Sequence, residues 1–319
     1  MSRVVAVFSA LLSTIVFPAV AATPMDYVGQ YVLRLGAKNF IVLNLREVQG
    51  TLTGSFSRPR RATLGTSFSN IGSEVITESI ISAAVQQDHL HLIAKDPKDP
   101  SNTEGFDLTL LPPGHASLQA TGTPLDPWTP TRVSPSPTLF VATDWDPHHA
   151  YYSDETDQSN PDMQRIIDED QKPRQSADMS HADWATINKQ DEDRRRQVRE
   201  LLAHGALHTG EDFGHAAFVF QHGSTPDDYL LAHTLAMIAM ARGNPGALWI
   251  ATATLDRYLN SIKQPQIYGT QFHNSKETPW TQEPYNRTLI SDELRRQLGV
   301  PSQAAQQKQL EEYKTANQH

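Results

Sequence analysis

Between Tyr27 and Arg132 apolar side chains recur at every second position, whereas beyond the run Ser134-Pro135-Ser136-Pro137 they recur every three to four. A period of two is that of strands with one buried face, and a period near 3.6 is that of helices. Both occur here in blocks and not in alternation, so sheet and helices are expected to form separately. The expected fold class is α+β by segregated domains: an N-terminal small antiparallel β-barrel or sandwich, then a C-terminal all-α helical bundle. The boundaries follow from composition. Residues 23–133 form the β domain, 134–160 a proline- and aromatic-rich linker, and 161–319 the helical domain.

In the first block Tyr27–Leu35, Asn39–Val48 and Thr51–Ser57 read as strands joined by turns at Gly36 and Gly50. Leu90, Leu92 and Ala94 alternate with His89, His91 and Ile93, and Phe106, Leu108 and Leu110 with Asp107 and Thr109. The count is about eight strands. Val75–Val85 is ambiguous, because its apolar spacing also suits a short helix. His89 and His91 share a strand face, but no third ligand is in reach, so a solvated face is the simpler reading. Trp128 and Arg132 are expected to close the last strand.

The linker holds Trp145, His148, His149, Tyr151 and Tyr152, an aromatic content that suggests packing along the helical domain. The carboxylates of 154–162 lack the glycine and Asp/Asn spacing of a calcium loop. Asn160-Pro161 begins a helix whose inward face is Met163, Ile166, Ile167 and Asp170. Ser180 with Asp183 reads as a capping box, followed by a stripe Trp184, Ile187, Asp191, Arg194, Val198 and Leu201. Arg194-Arg195-Arg196, set among Asp191, Glu192 and Asp193, reads as a mixed, solvated face. Thr225-Pro226-Asp227-Asp228 and Asn244-Pro245 start two helices that are apolar nearly all round and expected to be central. His233 and Asp256 are polar interruptions in them and need partners. The Gln- and Glu-rich C-terminus is expected to form a polar, fraying helix.

Arg3, the apolar run Val4–Val20 and the small residues Val20-Ala21-Ala22 read as a signal peptide over 1–22, which points to a periplasmic or secreted protein. No other segment is apolar enough to span a bilayer. The chain has no cysteine, which excludes disulfides and thiolate chemistry. Its net charge of −9 argues against nucleic acid. Nothing in the residues specifies a protein partner.

The candidate site is a polar knot around Asp256-Arg257 and Tyr268-Gly269-Thr270-Gln271. Pro265 and Gly269 are expected to bend the chain back toward the helix that carries the acid. Neighbouring Asp256 and Arg257 diverge by about 100° around that helix, so they serve different partners. His222, Asp256 and Tyr268 are the candidate catalytic residues: a histidine beside a carboxylate can act as a general base. Arg257, Gln271, Gln221, Asp191 and Arg194 are the candidate ligand contacts, with arginine suited to an anionic group. The expected chemistry is cofactor-free acid–base work on a small polar or anionic ligand, whether hydrolysis or lyase action. His215, His222 and His233 with Asp212 or Asp256 lack metal-ligand spacing, so no metal is expected. No Gly-x-Ser-x-Gly elbow exists for a serine nucleophile. The competing expectation is a non-catalytic envelope protein in which the same residues form a structural hydrogen-bond network.

Asp170-Gln171, Arg174, Asp191, Arg194, Ala217, Gln221-His222, Ala232, Gly243, Asp256-Arg257 and Tyr268-Gly269-Thr270-Gln271 occur in an order that resembles the bacterial family called domain of unknown function 6624. The resemblance spans roughly Met163 to Pro301. Gly223-Ser224 departs from it, since many members look like Ser-Asp after the histidine. The family implies a helical domain and brings no reaction with it.

Overall fold

The computed structural model describes residues 22–65, 67–99, 101–154, 156, 158–175, 183–275 and 277–316. The proposed signal peptide, up to residue 21, and Ser180 lie outside them.

Eight strands form a closed antiparallel barrel in sequence order: β1 (Gly29–Leu35), β2 (Lys38–Val48), β3 (Thr51–Pro59), β4 (Val75–Gln86), β5 (His89–Lys95), β6 (Thr103–Leu111), β7 (His115–Ala120) and β8 (Thr131–Val133). Closure comes from β8 lying against β1, with Gln30 opposite Val133 and Val32 opposite Thr131. A closed barrel leaves no unpaired edge to template aggregation. Of the two architectures expected, the barrel is the one formed.

The ambiguous segment is strand β4. Ile76, Glu78 and Ile80 are buried while Thr77 and Ser79 are exposed, a period of two that β5 enforces by pairing Ile80 with Ala94 and Ala83 with Leu92. The barrel core includes Leu33, Leu43, Phe56, Leu92 and Phe106, with the Phe56 and Phe106 rings 4.4 Å apart. Gly54 is required where β3 crosses β2, because a Cβ there would collide with the Asn44 carbonyl. His89 and His91 both turn to Asp107 on β6; His91 Nδ1 is 2.6 Å from its carboxylate and His89 Nε2 3.6 Å.

The chain divides into two compact units, one comprising the residues up to Leu33 with Phe40–Arg58 and Val75–Val141, the other Arg34–Asn39, Pro59–Glu74 and Ala142–His319. The expected linker is therefore shared between them. Its later part is well packed in the second unit: Tyr151 exchanges backbone hydrogen bonds with Phe68, and the Trp145 ring meets Tyr151 edge-on at 5.0 Å.

The second unit contains α1 (Pro161–Gln171), α2 (Trp184–Ala203), α3 (Gly210–Phe220), α4 (Pro226–Ala241), α5 (Leu248–Ser261), α6 (Asp292–Gln297) and α7 (Gln303–Ala316). Caps start α1 and α4 as the sequence suggests, whereas Asn244 caps a 3-10 turn at Pro245–Ala247 and α5 begins after it without a side-chain cap. The Asn160 side chain accepts from the backbone of Asp162 and Met163, and Thr225 accepts from Asp228. For α2 the cap is Asp183 itself, accepting from Thr186. The core of α1 to α5 is rich in alanine, with Ala216, Ala217, Ala232, Ala236, Ala239 and Ala251 among Met163, Val198, Phe220 and Ile250. Small side chains let α3, α4 and α5 approach closely.

Several expectations are corrected here. Leu230 and Met237 of α4 and Trp249 of α5 are exposed, so neither helix is enclosed all round. Trp184 is exposed as well, while Arg194 and Arg195 are buried and only Arg196 of the triplet is solvated. The terminal helix α7 is not polar all round over its described length. Gln306 and Leu310 are buried, and Tyr313 lies 5.3 Å from Phe272 and 5.0 Å from Trp280. Among the described residues no helix is long and apolar enough to cross a membrane.

Candidate functional site

The expected polar knot exists, but as two separate clusters with different chemistry. The first is centred on Asp256, which is fully buried in α5. After α5 the chain turns back, and its amides point at this carboxylate. Oδ1 accepts from Ile267 N (2.8 Å) and Tyr268 N (3.1 Å), and Oδ2 from Thr270 N (3.0 Å) and Thr270 Oγ1 (2.8 Å). Both oxygens are consumed. The other side of the bend is equally saturated. Gln282 donates to the Gly269 carbonyl at 2.7 Å, and Gln306 and Arg295 donate to that of Tyr268. Arg295 is wholly enclosed and also donates to the Ile290 carbonyl and to Tyr285 Oη. Gln266 holds Gln271 from both ends, accepting from its N–H and donating to its carbonyl. Burial raises the Tyr268 phenol above its usual range and the Asp256 charge adds to this. A carboxylate with every acceptor position filled has nothing left for a substrate. Asp256 anchors the loop.

The second cluster is built from α1, α2 and the end of α3. Asp170, on the inward face of α1, is fully enclosed, and Asp191 of α2 nearly so. Arg174 bridges them, 3.4 Å from Asp170 Oδ1 and 2.6 Å from Asp191 Oδ2. Arg194 bridges them again, pairing with Asp191 and placing its Nε 3.3 Å from Asp170 Oδ1. Two acids and two guanidiniums balance in charge, which is the condition for burying them. His222 completes the cluster. Its Nε2 is enclosed without a hydrogen bond and lies 3.4 Å from Asp170 Oδ2, an oxygen that accepts from Gln171 at 2.8 Å. The histidine's carboxylate is thus Asp170 and not Asp256, whose oxygens the loop amides have taken.

His222 is one-fifth exposed, on the side away from Nε2, and there it lines a cleft of about 890 Å³. Lys189, Arg195, Arg199, Thr225 and Asp228 line the same cleft. Two arginines hold the segment in place: Arg195 donates to the His222 carbonyl at 2.9 Å, and Arg257 to that of Gln221 at 3.0 Å. Guanidiniums at the open carbonyls of a helix end satisfy them and complement the helix dipole. Asp228 receives Arg199 at 2.7 Å and Thr225 Oγ1 at 2.9 Å. Burial works to raise its carboxyl, but the hydrogen bonds from Arg199 and Thr225, with the Arg195 charge, outweigh this and hold it below the ordinary value.

The expected site residues are therefore dispersed. His222, Asp191 and Arg194 belong to the charged cluster; Asp256 and Tyr268 belong to the anchored loop. Arg257 and Gln271 line a different cavity, and Gln221 contributes its carbonyl. As expected of neighbours on a helix, Asp256 and Arg257 serve different partners. His215, His222 and His233 have separate neighbours: Glu211, Asp170 and the Ala251 carbonyl, the last linking α4 to α5 at 2.8 Å. No group of three or more potential ligands is placed to hold a metal among the described residues. Asp170, Arg195 and Asp228 were not singled out as site residues. Asp170 stood among apolar positions on its helix face, a signal that it needed an inward partner. Compared with known proteins, the chain has no significant match to a family model, a curated protein or a solved structure.

Proposed function

We propose that this is an exported protein whose helices form a bundle-like domain that binds a small polar ligand beside His222 and acts on it by proton transfer. The observation that carries the reading is the His222–Asp170 pair at the wall of the cleft. A buried carboxylate facing Nε2 favours the tautomer with its proton on that nitrogen, leaving Nδ1 as the acceptor on the open side. The acid in turn is held by Gln171, Arg174 and Arg194, so the imidazole is oriented by groups that are themselves held. Lys189, Arg195 and Arg199 line the cleft beside the acids Glu192, Asp193 and Asp228, a mixed charged wall suited to a polar substrate. The chemistry this suits is acid–base work without a cofactor. The residues behind the resemblance to domain of unknown function 6624 supply both clusters, which supports relating the chain to that family. Export is supported by the apolar run Val4–Val20 and its small-residue end.

The second reading, a purely structural network in a non-catalytic envelope protein, is favoured by one observation, the saturation of Asp256. That observation covers the loop and not the cleft. His222→Ala tests the choice. On the site reading it abolishes turnover or capture of metabolites from an extract, followed by mass spectrometry, and leaves the melting temperature within a few degrees. A large loss of stability with unchanged ligand capture refutes it.

A further inference from the structure

A cavity of about 440 Å³ borders the C-terminal half of α5, with Tyr229, Arg257, Asn260, Gln271, Phe272 and Pro284 among its walls. Its charge is out of balance. Other buried or half-buried arginines of this unit meet carboxylates: Arg174 and Arg194 meet Asp170 and Asp191, Arg195 meets Asp228, Arg242 meets Asp154, and Arg295 meets Asp292. Arg257 meets none among the described residues. The side chain is half-buried; its Nη1 donates to the Gln221 carbonyl and its Nε is enclosed with no acceptor. Burial lowers its hold on the proton, with the neighbouring Tyr229 opposing. A half-buried cation with no carboxylate of its own can still be neutralised by an anion in the adjoining cavity.

Asn260 lies three residues further along the same helix, and its Oδ1 is likewise enclosed with no donor. Residues so spaced share a helix face. The cavity thus has one cation without a carboxylate and, in Asn260, an amide whose oxygen has no donor, beside the rings of Tyr229 and Phe272. Its size is that of a small-molecule site. A single cation among neutral walls suits a monoanion better than a dianion, which would stay half-neutralised out of water.

We propose that this cavity binds a small hydroxy- or amino-carboxylic acid, its carboxylate on Arg257, its adjacent donor on Asn260, and its body against Tyr229 and Phe272. The site is distinct from the cleft at His222 and does not rest on that reading.

Phenyllactate is the probe, titrated into the full-length chain by calorimetry at constant chloride, with inorganic phosphate as the competing anion. His273 also lines the cavity, and the titration is run at one fixed pH throughout. Phenyllactate binds, phosphate binds more weakly, and Arg257→Gln weakens phenyllactate roughly tenfold to hundredfold. His222→Ala leaves this binding unchanged, which separates it from the cleft. Because Arg257 also holds Gln221, a second variant is needed. Asn260→Asp supplies the missing carboxylate from within the helix, so its melting temperature rises and its response to phenyllactate disappears. The proposal is overturned if wild type gives no binding, if phosphate binds the tighter, or if Arg257→Gln binds as wild type does. It is equally overturned if Asn260→Asp melts lower and still binds.

Discussion

Replacing Asp256 with asparagine changes almost no volume and removes one acceptor oxygen, so it isolates what the carboxylate does for the loop. In the wild type four hydrogen bonds converge on two oxygens, three of them from backbone N–H groups. With asparagine, one side of the group becomes an NH2 that faces the Thr270 N–H or those of Ile267 and Tyr268. Whichever way the amide is turned, at least one buried backbone donor loses its acceptor and the rest lose the charge that strengthens them. A hydrogen bond to a charged group contributes about 1.5–3 kcal/mol, and an orphaned buried donor costs about 1–3 kcal/mol. Allowing for relaxation, the loss should come to about 3–5 kcal/mol. At roughly 2–4 °C per kcal/mol for a unit of this size, the melting temperature falls by roughly 6–20 °C. Urea unfolding followed by helical circular dichroism measures it, with the midpoint reporting stability and the slope reporting whether the unfolded state has changed. A variant within about 0.5 kcal/mol of wild type would show that the loop holds itself and that the Asp256 bonds are incidental.

Three further outcomes follow from the same coordinates. Gly269→Ala should lose at least about 2 kcal/mol, because this residue has φ +81° and its new Cβ would run into Gln306 Oε1 and Tyr285 Oη; thermal melts decide it. Glu78, enclosed in the barrel with neither oxygen hydrogen-bonded and Arg58 Nε 3.5 Å away, has its carboxyl raised by burial against the pull of Arg58. The folded state then holds this proton more tightly than the unfolded chain does, so the stability it brings is complete below the unfolded pKa and is lost as pH rises through the folded one. Glu78→Gln, neutral throughout, should gain on wild type as pH increases; urea midpoints that move in parallel for both chains would contradict this. Asp170→Asn should impair function as His222→Ala does, and unlike His222→Ala it should also cost stability, about 3 kcal/mol or more, because Arg174 and Arg194 lose a buried counter-charge.

What was legible in the sequence was whatever depends on neighbours along the chain. The alternation of Leu90, Leu92 and Ala94 gave a strand because a pleat places every second residue on one face, and Thr225-Pro226-Asp227-Asp228 gave a helix start because capping is local. The segment at Val75 is ambiguous because its apolar spacing also suits a short helix, and only pairing with β5 decides. Charge was misread where it was dense. Arg195 sits among acids, which suggested solvent, yet it turns inward to a helix end that lies elsewhere in sequence. Asp170's place on an apolar helix face signals that it needs an inward partner, but nothing local identifies that partner as His222. Gln266, Gln282 and Gln306 were invisible for a related reason: they serve backbone groups of a non-repetitive bend, and such groups announce themselves by no period.

The two clusters differ in one respect that bears on which of them does chemistry. Around Asp256 each acceptor has a donor, and the donors come from backbone that would otherwise be left unbonded; the network exists to hold a bend and has no capacity to spare. At Asp170 the inner charges are likewise balanced, but the histidine attached to them is not used up. One of its nitrogens faces the buried acid and the other side of the ring meets solvent in a cleft. A purely structural histidine, such as His233 with its bond to the Ala251 carbonyl, spends a nitrogen on packing helices together. His222 instead receives support through its own carbonyl, from Arg195, and the segment before it is braced by Arg257. Bracing a side chain from behind while leaving its front open stabilises a geometry that only a ligand would use. The same reasoning predicts that Arg195→Met, which removes the brace without touching the imidazole, lowers function more than stability. If it destabilises the fold strongly while a ligand-turnover assay is unaffected, the bracing serves the helix end and not His222.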